Sequence, residues 1–153
     1  MFTIYVYVLD ALADWELGYV TSEVNSGRFF KKDAQRVSLK TVSYSGKPIK
    51  TMGGLTIMPD CLIDDIAVSE TSVLLLPGAD TWNDLKHGAV IKKAEELLSS
   101  GALVCAICGA TAALAGDGLL DNRPHTSNGP GFLLPVIKAR IFTLTSPLWR
   151  ITT

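Results

Sequence analysis

The stretch that most constrains the fold of this chain is Ala102–Ala115, ALVCAICGATAALA. It opens with an apolar run, up to Ile107, that has the length and β-branched content of a strand buried on both faces. From Gly109 it continues as small, helix-forming residues. A strand that passes directly into a helix is the repeating unit of an α/β protein, so the stretch predicts that fold class.

Cys108 lies at the junction of this predicted strand and helix. A sharp strand-to-helix turn holds its corner residue in a strained, exposed conformation, and small neighbours such as Gly109 and Ala110 let the backbone pass close by. The helix N-terminus then directs N–H groups and the positive end of its dipole at the sulfur, which favours the nucleophilic thiolate. The alternative is an inert cysteine buried in a packed βα unit.

Strand-like and helix-like segments alternate along the rest of the chain, which predicts a mostly parallel sheet with helices on both faces. Asp14 is expected to cap the first helix, and Gly27 to end it. The predicted strands are Phe2–Leu9, Arg36–Tyr44 and Ser72–Leu76, the predicted helices run from Asp14 to about Asn25 and from Ala89 to Leu98, and Ile49–Pro59 is predicted as a small hairpin.

Composition indicates a single globular domain. The 153 residues are 48% hydrophobic and 19% charged, which is enough apolar material for one core and too little chain for two. The net charge of −1 gives no basis for binding nucleic acid or an anionic membrane. The apolar N-terminus, MFTIYVYVLD, is too short to span a bilayer and lacks the basic region and cleavage site of a signal peptide.

The three cysteines are Cys61, Cys105 and Cys108. The last two have C-x-x-C spacing, but Cys105 falls inside the predicted strand and is expected to be buried, so no working disulfide is predicted. Free thiols without an export signal indicate a reducing cytoplasm. Two histidines and scattered thiols without ligand spacing argue against a metal site. The sequence contains no phosphate-binding loop, so no cofactor is predicted.

Loops that follow strands in a parallel sheet form its ligand sites. Glu16 is either a first-turn helix acid favoured by the dipole or a protonated carboxyl that donates to the Cys108 thiolate. His125 is either a loop histidine bonded to backbone or a base that assists Cys108. Gly78 and Ala79, after the third strand, can present backbone N–H groups as an oxyanion hole.

Four motifs, taken together and in this order, resemble the ThiJ/PfpI superfamily, the class I glutamine-amidotransferase-like group of intracellular protease-like and glyoxalase- or deglycase-like proteins. The resemblance covers residues 2 to about 133 and implies a flavodoxin-like sandwich with a nucleophile elbow. The motifs are ADWE (Ala13–Glu16), LLLPGAD (Leu74–Asp80), AICGATAALA (Ala106–Ala115) and GLLDNRPHTSN (Gly118–Asn128).

The resemblance also implies roles for individual residues. Cys108 matches the elbow nucleophile and Glu16 the acid that contacts it. His125 matches the histidine that follows the elbow helix in the family. Ala79 and Gly109 match the residues whose backbone amides form the oxyanion hole.

The sequence departs from the family pattern in three places. Gly109 stands where the protease-like branch carries a histidine, which weakens a peptidase assignment. The turn after the third strand reads Pro-Gly-Ala, where a Gly-Gly pair is commoner. Residues 134–153 do not follow the family's usual end, a further strand and a long helix, although Ile141–Leu144 can still add a strand. We expect a second copy of the chain to cover the apolar sheet surface left open, or a marginally stable domain.

Two main functions follow. The first is a cysteine-dependent hydrolase, amidase, glyoxalase or deglycase in which Cys108 adds to the carbonyl of a small substrate, helped by Glu16 and His125. The second is a redox-sensing or stress-protective protein in which Cys108 is oxidised to sulfinic acid without fast turnover. A binding domain that keeps the fold without the chemistry is a third, and the sequence does not identify the substrate.

Overall fold

The computed structural model describes residues 1–129 and 131–136. Within them, strands and helices alternate as the sequence predicts, with short 3₁₀ turns at Ile63–Asp65 and Leu85–His87. The strands are β1 (Phe2–Tyr7), β2 (Val37–Ser43), β3 (Ile49–Lys50), β4 (Thr56–Ile57), β5 (Cys61–Leu62), β6 (Ser72–Leu76) and β7 (Leu103–Ala106), and the helices are α1 (Asp14–Ser26), α2 (Gly88–Ser99) and α3 (Gly109–Gly116).

Five strands form the main sheet in the order β5-β2-β1-β6-β7, and every pairing among them is parallel. The predicted fold class is therefore confirmed. The predicted hairpin is also present, as the antiparallel pair β3–β4. The edge strand β5 was not predicted, because two residues are too few to produce a recognisable period.

The main correction concerns the strand before Cys108. The sequence places it inside the sheet, buried on both faces, whereas the described sheet has β1 at its centre and β7 at its edge. Leu103, the first residue of β7, is 58% exposed, and Cys105 is only half-buried. Hydrophobicity identifies a strand but does not specify its place in the sheet, which depends on the crossover connections.

The side chains of β1 alternate between the two faces of the main sheet and contribute to the packing on both. Val6 and Val8 border the same groove as Leu17 of α1. Tyr7 points to the opposite face, where its hydroxyl bonds to His87 just before α2. Because successive side chains of a strand point to opposite faces, the aromatic and β-branched residues of β1 serve both layers of the core.

The start of α1 differs from the prediction by one residue. Ala13 is the N-cap, and Asp14 is the first helical residue. The Asp14 carboxylate instead accepts the Gly53 amide, with Oδ2 2.6 Å from the nitrogen. The Thr51 side chain and this amide hold the pKa of Asp14 below its usual range, so a charged carboxylate ties α1 to the hairpin tip. The predicted end is confirmed, since Gly27 has the left-handed conformation at φ 61°.

The described part of the chain contains no helix long and apolar enough to cross a membrane. The predicted strand at Ile141–Leu144 lies outside the described residues.

An aromatic cluster surrounds the buried His87. The ring of His87 lies 5.7 Å from the rings of Tyr7 and Tyr44 and 5.5 Å from that of Trp82. Its Nδ1 shares a 2.7 Å hydrogen bond with the Tyr7 hydroxyl, whereas its buried Nε2 has no hydrogen-bond partner within the described ranges. A proton added to His87 would place a charge among aromatic rings.

We expect this histidine to make stability depend on pH. Burial, aided by the Lys86 charge, lowers the pKa of His87. In the unfolded chain the histidine has a pKa of about 6.5, so the unfolded chain binds the proton more readily than the folded one. The free energy of unfolding is therefore highest above that pH and decreases as the pH falls towards the lower pKa of His87 in the folded protein. Urea unfolding at about pH 7.5 and about pH 5.5, on either side of that value, measures the effect. The His87→Phe variant should show a flatter dependence, and equal slopes for the two proteins would contradict the assignment.

Candidate active site

The candidate site is formed by the loops that follow three neighbouring strands. The loops after β1, β6 and β7 leave the sheet at its carboxyl end, and these strands are adjacent in the sheet order. A β-bridge joins Leu12 to Ala79, and the Ala13 amide donates to the Gly78 carbonyl at 2.9 Å. The sheet order also reverses between β1 and β6, and such switch points are where parallel sheets form ligand sites.

The backbone of Cys108 confirms the strained corner that the sequence predicts. Its φ of 55° and ψ of −126° lie outside the usual regions for a residue with a side chain, a conformation that costs about 1–3 kcal/mol. The Ile107 amide donates to the Leu76 carbonyl, which extends the β6–β7 pairing to the corner. On the helical side, the Thr111 amide donates to the Cys108 carbonyl at 3.0 Å, so both flanks hold the half-buried cysteine in place.

Glu16 and Cys108 flank the same backbone position. The Glu16 carboxyl accepts the Gly78 amide, with Oε2 2.5 Å from the nitrogen. A Cβ added at Gly78 would lie 2.7 Å from the Cys108 Cβ and 2.7 Å from the Glu16 Oε1. The absence of a side chain at residue 78 is therefore what lets the acid and the cysteine come together.

Gly109 is enclosed in a similar way. A Cβ at this position would lie 3.1 Å from both the Ala79 carbonyl oxygen and the Trp82 Cδ1, closer than atoms normally pack. Trp82 is itself fixed, because its Nε1 donates to the Pro77 carbonyl at 2.8 Å. The histidine of the protease-like branch would have to displace these groups, which gives a physical reason for glycine at this position.

The two predicted oxyanion residues are neighbours. The same Cβ position on Gly109 lies 3.7 Å from the Ala79 nitrogen. Gly109 is the first residue of α3, where an amide has no acceptor in a preceding helical turn. Their use as an oxyanion hole stays a prediction.

Asn128 was not singled out from the sequence, although it lies in the motif that contains His125. Its Nδ2 donates to the Cys108 Sγ at 3.1 Å. The neighbouring Ser127 hydroxyl is 2.6 Å from the Thr111 hydroxyl, which in turn donates to the Cys108 carbonyl at 2.6 Å. The signal that could have found Asn128 is its position three residues after His125 in the sequence HTSN.

His125 is buried within the same loop. Its Nδ1 lies 2.8 Å from the Arg123 carbonyl oxygen. Because a carbonyl can only accept, Nδ1 is the donor in this hydrogen bond. The structure thus shows the backbone-bonded histidine considered from the sequence, and its action on Cys108 stays a prediction.

The remaining cysteines differ from Cys108 in their surroundings. All three are free thiols. Burial raises the pKa of Cys105, and burial together with the Asp65 charge raises that of Cys61. Neither environment favours a thiolate. The described residues contain no group of three or more His, Cys, Asp or Glu side chains that could hold a metal ion.

Cavities near the site are small. A crevice of about 150 Å³ is lined by Glu16 and Ile107, among other residues of α1, β6 and β7. A larger apolar cavity, of about 450 Å³, lies at the opposite end of β7, beside Ala102 and Leu103, and does not include Cys108. Because the smaller crevice includes Glu16 but not Cys108, we place the candidate site at the Cys108 corner itself and not at either cavity.

Gly78→Ala should disrupt this arrangement. The new methyl group would overlap both the Glu16 carboxyl and the Cys108 side chain, and we expect a loss of about 1–3 kcal/mol in the free energy of unfolding. Gly46→Ala is the matched control, since a Cβ there meets open space. Urea denaturation of both variants measures the difference, and equal stability would show that residue 78 tolerates a side chain.

Two curated relatives match most of this chain, but the matched region is only part of their own length. The uncharacterized protease YoaZ of Bacillus subtilis is 42% identical over 125 residues, which are 82% of this chain and 60% of that protein. The uncharacterized protease YdeA of the same organism is 32% identical over 123 residues, 79% of this chain and 56% of that protein. The chain thus spans less than two thirds of either relative.

Solved structures agree with the fold. A ThiJ/PfpI family protein from Bacillus anthracis matches with a TM-score of 0.89 at 40% identity, covering 96% of this chain and 72% of that one. A DJ-1 superfamily protein from Agrobacterium tumefaciens matches with a TM-score of 0.82 at 24% identity, covering 96% of this chain and 76% of that one, and shows the fold alone. The model of the DJ-1/PfpI family matches residues 2–133. The resemblance inferred from the four motifs is therefore confirmed, and the chain belongs to the DJ-1/PfpI family.

Proposed function

We propose that the protein is a cysteine-dependent hydrolase, an amidase or a glyoxalase- or deglycase-like enzyme, that acts on small carbonyl or amide substrates through Cys108. The observation that carries this proposal is the geometry of Cys108, whose strained backbone holds the side chain beside the Glu16 carboxyl and within hydrogen-bond distance of the Asn128 amide. The relatives named as proteases support a hydrolytic reaction.

In amide hydrolysis, the Cys108 thiolate attacks the carbonyl carbon, a C–S bond forms, and the carbonyl oxygen takes the negative charge. We assign the stabilisation of that oxygen to the backbone amides of Ala79 and Gly109, whose neighbouring positions support the assignment. Collapse of the intermediate breaks the C–N bond, and the amine leaves with a proton. Water then hydrolyses the thioester, which releases the acid and restores the thiol.

Two groups are candidates for moving the protons. The Glu16 carboxyl and the Cys108 Cβ both border Gly78, which supports a role for Glu16 as an acid or in orienting the substrate. His125 is the second candidate, and the bond between its Nδ1 and the Arg123 carbonyl oxygen orients its ring.

Replacement of Cys108 by alanine tests the proposal. Turnover of amide, ester and methylglyoxal substrates should fall by about a thousandfold or more, because the nucleophile is removed. The matched control is Cys61→Ala, which removes a half-buried thiol from β5, outside the site, and should retain full activity. Undiminished turnover in the Cys108 variant would refute the proposal. Absence of turnover in the unaltered protein, combined with selective oxidation of Cys108 by mild peroxide, would instead support the redox function.

A homodimer, expected from the sequence, is part of the proposal. None of the residues of α1 is fully buried, and the helix exposes Trp15 and Tyr19 by 68% and 89%. These residues are one turn apart on the same helix and offer an apolar surface to a second copy. Light scattering on the purified protein should give the mass of a dimer, and a stable monomer would contradict this expectation.

A further inference from the structure

We propose that Asn128 is a catalytic residue of this site: its neutral side-chain amide stabilises the Cys108 thiolate directly. The inference deepens the proposed function and rests on it for its catalytic meaning. It starts from the 3.1 Å contact between the Asn128 Nδ2 and the Cys108 Sγ.

The chemistry of the contact favours the charged sulfur. An amide nitrogen carries only N–H donors, so in this contact the sulfur must accept. A thiolate is the stronger acceptor, because hydrogen bonds to charged groups are stronger than those between neutral groups. The interaction therefore lowers the free energy of the thiolate more than that of the thiol.

Hydrogen bonds connect the loop that contains Asn128 to the backbone at Cys108. The Thr111 hydroxyl has one hydrogen, which it donates to the Cys108 carbonyl at 2.6 Å, so the Ser127 hydroxyl donates to Thr111 at 2.6 Å. Ser127 is thereby linked to the backbone of Cys108, and the adjacent Asn128 to its sulfur. The Ser127–Thr111 path thus holds the neighbouring Asn128 close to the sulfur, which lowers the entropic cost of placing an exposed side chain there.

The arrangement also takes the place of the group that Gly109 lacks. A side chain at residue 109 would press on the Ala79 carbonyl and Trp82, which would have to shift by a few tenths of an ångström. Asn128 supplies a donor to the sulfur from the loop after α3. Unlike a histidine, the amide keeps the same charge at every pH.

Alkylation of Cys108 by iodoacetamide tests the inference. In the full-length protein, mass spectrometry of the peptide that contains Cys108 gives the rate at a series of pH values. For Asn128→Ala we expect the rate at neutral pH to fall about fivefold to tenfold, and the half-maximal rate to move to higher pH, because the donor to the thiolate is lost. Asn128→Asp should react more slowly still, since it replaces a donor with a second negative charge.

Asn122→Ala is the matched control, because Asn122 is an exposed asparagine that also follows α3. It should alkylate at the rate of the unaltered protein at every pH. A purely structural role for Asn128 would lower the melting temperature without moving the pH midpoint. An unchanged midpoint in Asn128→Ala therefore overturns the inference, and so does an equal shift in the Asn122 variant.

The two proposals can fail separately. If Cys108→Ala loses turnover but Asn128→Ala alkylates normally, the proposed function stands and the role of Asn128 is refuted. If Asn128→Ala slows alkylation but Cys108→Ala retains turnover, the amide stabilises the thiolate of a cysteine that is not the nucleophile, and the catalytic role is refuted with the proposed function.

Discussion

The hydrogen bond from the Gly78 amide to the Glu16 carboxyl joins two segments that follow adjacent strands of the sheet. It connects the first turn of α1 to the carboxyl end of β6, and it does so where a Cβ would touch the Cys108 side chain. The β-bridge between Leu12 and Ala79 supports the same junction. The site therefore depends on a backbone donor and on the lack of a side chain, neither of which is a conventional catalytic group.

Strain at Cys108 follows from this packing. A residue with positive φ persists only where its surroundings hold it, and here the β6–β7 pairing holds one side and the Thr111 hydrogen bonds hold the other. The result presents one of three cysteines differently from the other two, whose pKa values burial raises. The three thiols therefore differ only through their positions in the fold, since the residue type is the same.

Close packing surrounds residue 109. A side chain at that position would press on Trp82 and the Ala79 carbonyl, and both would have to shift to admit it. The side chains near the sulfur come from α1 and from the loop after α3.

How much could be predicted from sequence depends on the range of the interaction. The alternation of strands and helices, the corner at Cys108 and the glycine that ends α1 are local, because side-chain size, periodicity and backbone freedom specify them. The motifs also pointed to Glu16, which the structure places beside Cys108. Asp14 was misassigned as a cap because its partner, Gly53, lies 39 residues away along the chain.

The sequence by itself determined the fold class, the family and the identity of the cysteine at the strand-to-helix corner, since each is written in short segments. Only the tertiary structure decided that β7 lies at the edge of the described sheet, that Gly78 must be a glycine, and that Asn128 reaches the sulfur. These facts arise where loops from β1, β6 and α3 converge. Contacts between distant segments depend on how the whole chain packs, and no local pattern encodes them.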